Sequence, residues 1–423
     1  MTSKTAGSDP SNAPAPELPS GLGVLASGTV LSPFSRLRHL LEGVAPGHER
    51  PIDLSLGDPR ETMPPFIGAR VAESEALFGR YPAIRGSDEL RRAIAAWLDR
   101  RFGLTGSAAV DPTREVLPCN GSREGLFYAT LPAVGRKRTT GRPAVLMCNP
   151  YYQAYMGAAI AAGAEPVCLN ATAASGHLPD LDEIAGDTAL LERTAVLFLC
   201  SPANPQGAVA SADYIARALA IARRHDFMLF LDECYSEIYS GARPPVGGLE
   251  VAARTPERFA NLVVFNSLSK RSNLPGLRSG FTAGDGRFLD TLAEVRNLVA
   301  PQMPGPLQHA SAAAWSDEAH VVANREAYQA KFDICDEILA GRLGYARPAG
   351  GFFLWLDMSQ FGGGSDATVT LWKRTGVKVV PGAFLAQAGR DGTNPGAPYV
   401  RVALVESPAL VREALERMVS VLA

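Results

Sequence analysis

The chain has 423 residues, too many for one ordinary hydrophobic core, so two closely packed domains are expected. Its 46% hydrophobic and 20% charged residues are typical of a soluble globular protein, and a formal net charge of -2 leaves no electrostatic footprint for nucleic acid. No run of eighteen or more apolar residues is present and the N-terminus lacks the basic-then-apolar order of a signal peptide, so no membrane partner and a cytoplasmic location are expected.

Residues 1 to about 25, rich in Ser, Ala, Pro and Gly, bury too little apolar surface to offset ordering entropy and read as a disordered tail. From about 85 to 300, amphipathic stretches alternate with short apolar runs, the pattern of strands buried under helices on both faces. The strand candidates are Ala144–Cys148, Pro166–Leu169, Ala195–Leu199, Phe227–Leu231, Leu262–Phe265 and Gly280–Ala283. Polar signals follow four of these runs: Asn149-Pro-Tyr-Tyr152, Ser201 to Gly207, Asp232-Glu-Cys-Tyr235 and Ser267-Leu-Ser-Lys270. Ligands of open α/β sheets bind beyond the carboxyl ends of strands, so these four segments are expected to meet in one crevice.

Beyond about 305 the pattern becomes a charged helix from His309 to about Leu339, followed by the strand-like runs Gly351–Leu356 and Tyr399–Leu404, which predicts a smaller α+β domain. Six cysteines without CxxC spacing read as reduced core thiols, and six histidines without HxxxH or HExxH spacing give no zinc site, so no metal is expected.

Several residues carry chemistry. Lys270 follows an apolar strand, is flanked by Ser267 and Ser269, and has Arg278 eight residues on; hydroxyls and a guanidinium suit a phosphate, and the amine suits a Schiff base. Taken alone, Lys270 would be a solvated strand-end lysine. Asp232 ends an apolar run, where a carboxylate needs a positive partner such as a protonated pyridine nitrogen; the ordinary alternative is a helix N-cap. Tyr235 is within reach of the same ring's phenolic oxygen. The N–H groups at 121 to 123 precede a helical stretch and suit a phosphate, although any capped helix looks similar. Arg401, within Tyr-Val-Arg-Val-Ala-Leu, wants a bidentate anion, either a substrate carboxylate or an internal Asp or Glu.

These residues resemble the class I and II aminotransferases of PLP fold type I along nearly the whole chain from about residue 30. The resemblance is carried by Leu54-Ser-Leu-Gly-Asp-Pro59, Tyr81-Pro-Ala-Ile-Arg-Gly86 with Glu89-Leu-Arg91, Asn120-Gly-Ser122, Asn149-Pro150, Asn204-Pro205, Asp232 to Tyr235, Ser267 to Gly280 and Tyr399-Val-Arg401. It implies an α/β large domain at 56–304 with a mostly parallel sheet flanked by helices, a small α+β domain at 305–423, and a segment at 26–55 packing on the latter. It implies pyridoxal 5'-phosphate as cofactor, with Lys270 the Schiff-base and proton-shuttling lysine, Asp232 the pyridine partner, and Asn204 and Tyr235 partners of the ring oxygen. Tyr152 resembles the aromatic stacked on the ring, and Ser122, Arg123, Ser267, Ser269 and Arg278 the phosphate cup. Arg123 departs from the commoner small residue, so only its backbone N–H is carried over. Tyr81 resembles the tyrosine that reaches the partner subunit's cofactor, and Gly57 the backbone beside a substrate carboxylate held by Arg401; both imply a homodimer with shared sites.

Within that family, Ser267 to Phe281, Asn120 to Glu124 and Ala313-Ala-Trp-Ser-Asp-Glu-Ala-His320 look most like bacterial succinyldiaminopimelate transaminases of lysine biosynthesis. The implied substrates are N-succinyl-diaminopimelate and 2-oxoglutarate with glutamate. Transamination of aspartate, alanine or acetylornithine, and a PLP-dependent lyase, are the alternatives. A PLP-binding transcription regulator is disfavoured because the residues before the fold are too few for a helix-turn-helix module. The tail and the Gly-rich stretches at 362–364 and 391–397 depart from the succinyldiaminopimelate group.

Overall fold

In the computed structural model the described residues are 32–389 and 392–422. The tail expected at 1–25 lies outside the described residues, as do the first residues of the 26–55 segment and Asp391 of the second Gly-rich stretch.

Twelve strands are present among the described residues: β1 (Ile52–Asp53), β2 (Val116–Cys119), β3 (Ala144–Asn149), β4 (Glu165–Asn170), β5 (Thr194–Cys200), β6 (Met228–Asp232), β7 (Leu262–Ser267), β8 (Gly280–Gly284), β9 (Phe353–Asp357), β10 (Val377–Lys378), β11 (Val380–Pro381) and β12 (Tyr399–Ala403). Seven of them form the central sheet in the order β2-β8-β7-β6-β5-β3-β4. β3 to β7 pair in parallel, whereas β8 runs antiparallel to both β7 and β2. β5 shows why these strands are continuous apolar runs. Leu197 and Leu199 pack into a core on one face with Leu229 and Leu231, while Val196 and Phe198 pack into a second core on the other face with Met147 and Tyr155. Alternating side chains thus meet helices on both sides. β2 is absent from the sequence expectations because it is only four residues long and contains Pro118, which reads against a strand. It is tolerated at the sheet edge.

The stretch expected as one helix from His309 to Leu339 is two, Gly305–Ser316 and Ala319–Leu339. Asp317 lies between them and accepts the His320 N–H at 3.1 Å, marking the break. The first of the two packs into the sheet's core: Trp315 lies 4.9 Å from Trp97 and 5.1 Å from Phe281 between ring centroids. The helix Gly305–Ser316, just past the 304/305 division expected from sequence, thus shares a core with the central sheet. The second helix joins Gly364–Thr375 and Pro408–Leu422 around the three-stranded antiparallel sheet β11-β12-β9. The segment around β1 joins this core, because β1 pairs in parallel with β10 and buries Ile52 and Leu54 there. Glycine at 364 follows from crowding, since a Cβ there would collide with the Tyr399 carbonyl.

Candidate active site

The carboxyl ends of β3, β5, β6 and β7 open on one cavity of about 580 Å³. Its lining includes Lys270, Ser122, Arg123, Tyr152, Asn204, Asp232, Tyr235, Ser267, Ser269, Arg278, Gly57 and Arg401. Tyr81 is the exception. It is 102% exposed and does not line the cavity of its own chain.

Asp232 is the last residue of β6 and is buried. Tyr155 donates its hydroxyl to Oδ2 at 2.7 Å and the Cys234 N–H donates to Oδ1 at 3.1 Å. Burial pushes the carboxyl pKa up, and these two hydrogen bonds partly offset it. The site therefore holds an acid with neutral donors, available to a cationic ring nitrogen. Tyr155 was missed from sequence; its signal was the helical spacing from Tyr152, which places both rings on one face 5.6 Å apart. Tyr155 also stacks on Phe198 at 4.4 Å and 9°, so its hydroxyl is held in place.

Lys270 lies in the short helix Leu268–Arg271 that follows β7, and its Nζ donates to the Gly57 carbonyl at 2.5 Å. Burial pushes its pKa down to about 8, with Asp58 acting in the opposite direction. Near neutral pH such an amine has an appreciable uncharged fraction, which is what a nucleophile or proton carrier requires. A side chain on Gly57 would place its Cβ 2.6 Å from Phe353, so glycine lets this strand of backbone reach the amine.

Ser122 opens the helix Ser122–Arg136, whose N-cap Gly121 has φ 83°. A Cβ on Gly121 would strike the Arg278 guanidinium, which lies across this turn and donates to the carbonyls of Asn120 (3.1 Å) and Pro275 (2.9 Å). Free helix N–H groups, the hydroxyls of Ser122, Ser267 and Ser269, and a guanidinium bonded only to carbonyls make a site for a phosphate dianion.

Arg401 occupies the opposite wall, on β12, and is buried. Its Nη2 donates to the Ser55 carbonyl at 2.7 Å, its Nη1 reaches Asn204 Oδ1 at 3.4 Å, and its Nε is unpaired. Among the described residues no carboxylate pairs with it, which removes the internal ion pair as an explanation. Burial lowers its pKa to about 10. Tyr235 packs between Phe352 and Phe353 with its phenol buried, and that burial raises its pKa well above the ordinary value.

The Arg123 side chain, left open by the sequence, donates through Nε to the Tyr152 hydroxyl at 2.6 Å at the cavity mouth. No carboxylate of the described residues pairs with it either. Asp58 and the apolar Pro33 and Phe34, from the helix Pro33–Leu40, with Leu385, are also among the lining residues. No sequence motif marks these apolar residues.

The model of the family "Aminotransferase class I and II" matches residues 49–418. The chain belongs to this family. The aminotransferase is 32% identical to the LL-diaminopimelate aminotransferase of Syntrophobacter fumaroxidans over 87% of its own length and 90% of that protein's. It superposes on an aminotransferase from Neisseria meningitidis with a TM-score of 0.87 and 36% identity, covering 94% of this chain and all of the other. A probable N-succinyldiaminopimelate aminotransferase from Thermus thermophilus follows with a TM-score of 0.78 and 25% identity, covering 92% of this chain and 100% of its own. The fold is PLP fold type I and the activity is that of a transaminase.

Members of the family use pyridoxal 5'-phosphate, and the residues present fit it. The amine, the buried acid without a protein cation, and the anion cradle without a carboxylate lie at three corners of one cavity. No helix among the described residues is long and apolar enough to cross a membrane.

Proposed function

We propose that this aminotransferase exchanges the amino group of a diaminopimelate-type amino acid with 2-oxoglutarate, with free LL-diaminopimelate ahead of the N-succinyl derivative. The observation that carries the reading is a pair of guanidiniums, Arg401 and Arg123, that line one cavity with no carboxylate partner while Lys270 lies in the same cavity. Diaminopimelate, glutamate and 2-oxoglutarate each bring two carboxylates. The named relatives support the order, since the LL-diaminopimelate enzyme is the more similar in sequence of the two diaminopimelate enzymes.

In this reading Arg401 holds the α-carboxylate and so turns the substrate Cα proton toward Lys270. The Lys270 Nζ takes that proton and returns it to a neighbouring carbon, and the Gly57 carbonyl orients the amine between visits. Asp232 would face the pyridine nitrogen, its carboxylate fixed by Tyr155 and the Cys234 N–H. Asn204 and Tyr235 would face the ring oxygen, and Tyr152 would cover the ring. Ser122, the Arg123 N–H, Ser267, Ser269 and Arg278 would hold the phosphate. When bound, pyridoxal phosphate supplies the electron sink that makes loss of the Cα proton possible. Tyr81, exposed beside Leu77 and Phe78, which are also exposed, suits a contact with a second copy of the chain in a homodimer.

The test is a donor panel against 2-oxoglutarate with the holoenzyme: LL-diaminopimelate, N-succinyl-diaminopimelate, N-acetylornithine, aspartate and alanine. The expected result is the highest kcat/KM for LL-diaminopimelate with stoichiometric glutamate. Preference for a monocarboxylic donor overturns the substrate reading, and turnover retained in Lys270→Ala overturns the site.

A further inference from the structure

The helix Ala319–Leu339 carries His320, Asn324, Tyr328 and Lys331, at steps of four, four and three, so all four lie on one face. A helix joining two domains ordinarily packs such a face with aliphatic side chains, yet here three of the four are polar, and Asn324 and Lys331 are buried. Each polar group ends on one of the two segments that meet at the Lys270 amine.

Asn324 Nδ2 donates to the backbone carbonyls of Lys270 (3.0 Å) and Arg271 (3.3 Å), and its Oδ1 accepts from Asn273 at 2.9 Å. His320 Nδ1 lies 2.5 Å from the Asp317 carboxylate and Nε2 lies 2.8 Å from Ser272 Oγ. With Nδ1–H given to Asp317, Nε2 accepts from the Ser272 hydroxyl, two residues past Lys270. The Asp-His-Ser order is that of a hydrolytic triad, but Ser272 is 0% exposed and no substrate reaches it. Lys331 grips the other segment, bonding Glu61 at 2.5 Å and the Leu404 carbonyl at 3.1 Å, four residues from the Gly57 that accepts from Lys270. Tyr328 stacks on Phe352, whose ring lies 5.2 Å from the Lys270 Nζ.

We propose that His320, Asn324 and Lys331 are positioning residues: one helix face holds the Lys270 turn and the Gly57 loop in register, and so sets where the amine points. The inference rests on Lys270 being the reactive amine. None of the three touches the cavity. They act through backbone carbonyls, a hydroxyl and an ion pair, and a displacement of about 1 Å at a reacting group is enough to cost orders of magnitude in rate.

The experiment compares holoenzymes carrying Asn324→Ala, Asn324→Asp, His320→Ala and His320→Gln with Glu337→Ala, a change on the same helix that breaks an exposed pair with Arg412 of the helix Pro408–Leu422. Expected for Asn324→Ala, Asn324→Asp and His320→Ala is a kcat lower by about ten-fold with the donor KM within about two-fold. The pH midpoint of the visible absorbance of Lys270-bound cofactor should move by roughly half a unit, while Asp58, Cys234, Arg401 and Arg123 remain around the amine. His320→Gln, which keeps an acceptor for Ser272, should recover most of both, and Glu337→Ala should change neither. Wild-type kcat and midpoint in the alanine variants, or losses that merely follow melting temperature, overturn the proposal. If the alanine variants do not fold, Asn324→Asp, equal in size but without the N–H donors, decides alone by the same two readouts. Turnover surviving in Lys270→Ala would instead defeat the site reading, so the two failures are distinct.

Discussion

Arg271 and Arg401 are both guanidiniums buried near the Lys270 turn, 1% and 4% exposed, and each leaves its Nε unpaired. Behind the sheet, Arg271 lies against Trp315 and Trp97 and donates to the Ala314 carbonyl (2.7 Å), the Asp317 carbonyl (3.2 Å) and the Glu318 carboxylate (2.7 Å). Across the cavity, Arg401 has a carbonyl, a distant amide oxygen and the face of Phe353, but no carboxylate. Burial lowers both pKa values, and only for Arg271 does a protein carboxylate oppose it. Burial alone therefore does not mark a ligand-binding arginine; a missing counter-charge does.

Replacing each by methionine should separate the two. Arg401→Met should lower kcat/KM for dicarboxylic donors by about 10²–10³-fold, because the substrate carboxylate loses a desolvated, bidentate partner, while the folded chain keeps or gains stability. Steady-state kinetics with denaturant unfolding would check both halves; unchanged kcat/KM would remove Arg401 from the site. Arg271→Met should act mainly on the fold, costing about 2 kcal/mol of stability by stranding the buried-side carbonyls of Ala314 and Asp317, with the donor KM per folded molecule within about two-fold.

Between these two arginines stands the amine itself, and its titration sharpens the contrast. Lys270 is held near 8 in the folded chain and returns to about 10.4 on unfolding. Over that window the unfolded state binds the extra proton, so the amine's penalty is greatest below pH 8 and relieved as pH rises toward 10. In the cofactor-free protein, the stability of wild type relative to Lys270→Met should rise by about 2 kcal/mol across that range. Arg401, present in both, cancels in the difference; a flat difference would mean that the amine is solvated.

Arg123→Leu should have the smallest effect. Its guanidinium is exposed and bonded to a neutral tyrosine, so KM for 2-oxoglutarate should rise by about five-fold with little change for pyruvate. Equal effects on both acceptors would place Arg123 outside substrate recognition.

Much of this was legible in sequence because the chemistry is concentrated at strand ends. The apolar runs before Asn149, Ser201, Asp232 and Ser267 read as buried strands, and the polar residues after them fall on one side of the sheet by the geometry of parallel pairing. What escaped has a common cause. β2 carries a proline, the break at Asp317 interrupts a continuous helical pattern, and Pro33, Phe34 and Leu385 become cavity walls only through contacts distant in sequence. Tyr155 looks like any helix-packing tyrosine until its hydroxyl is seen on Asp232.

By itself the sequence determined the strand pattern, the family and the residue types of the site, because buried periodicity and strand-end motifs are local properties of the chain. Tertiary structure decided which charges are already paired. It separated Arg401, which lines the cavity with no carboxylate bonded to it, from Arg271, paired with Glu318, and it brought one helix face into hydrogen-bonding contact with both segments that meet at Lys270. Pairing and desolvation depend on what other parts of the chain bring within a few ångströms, and no local pattern encodes that.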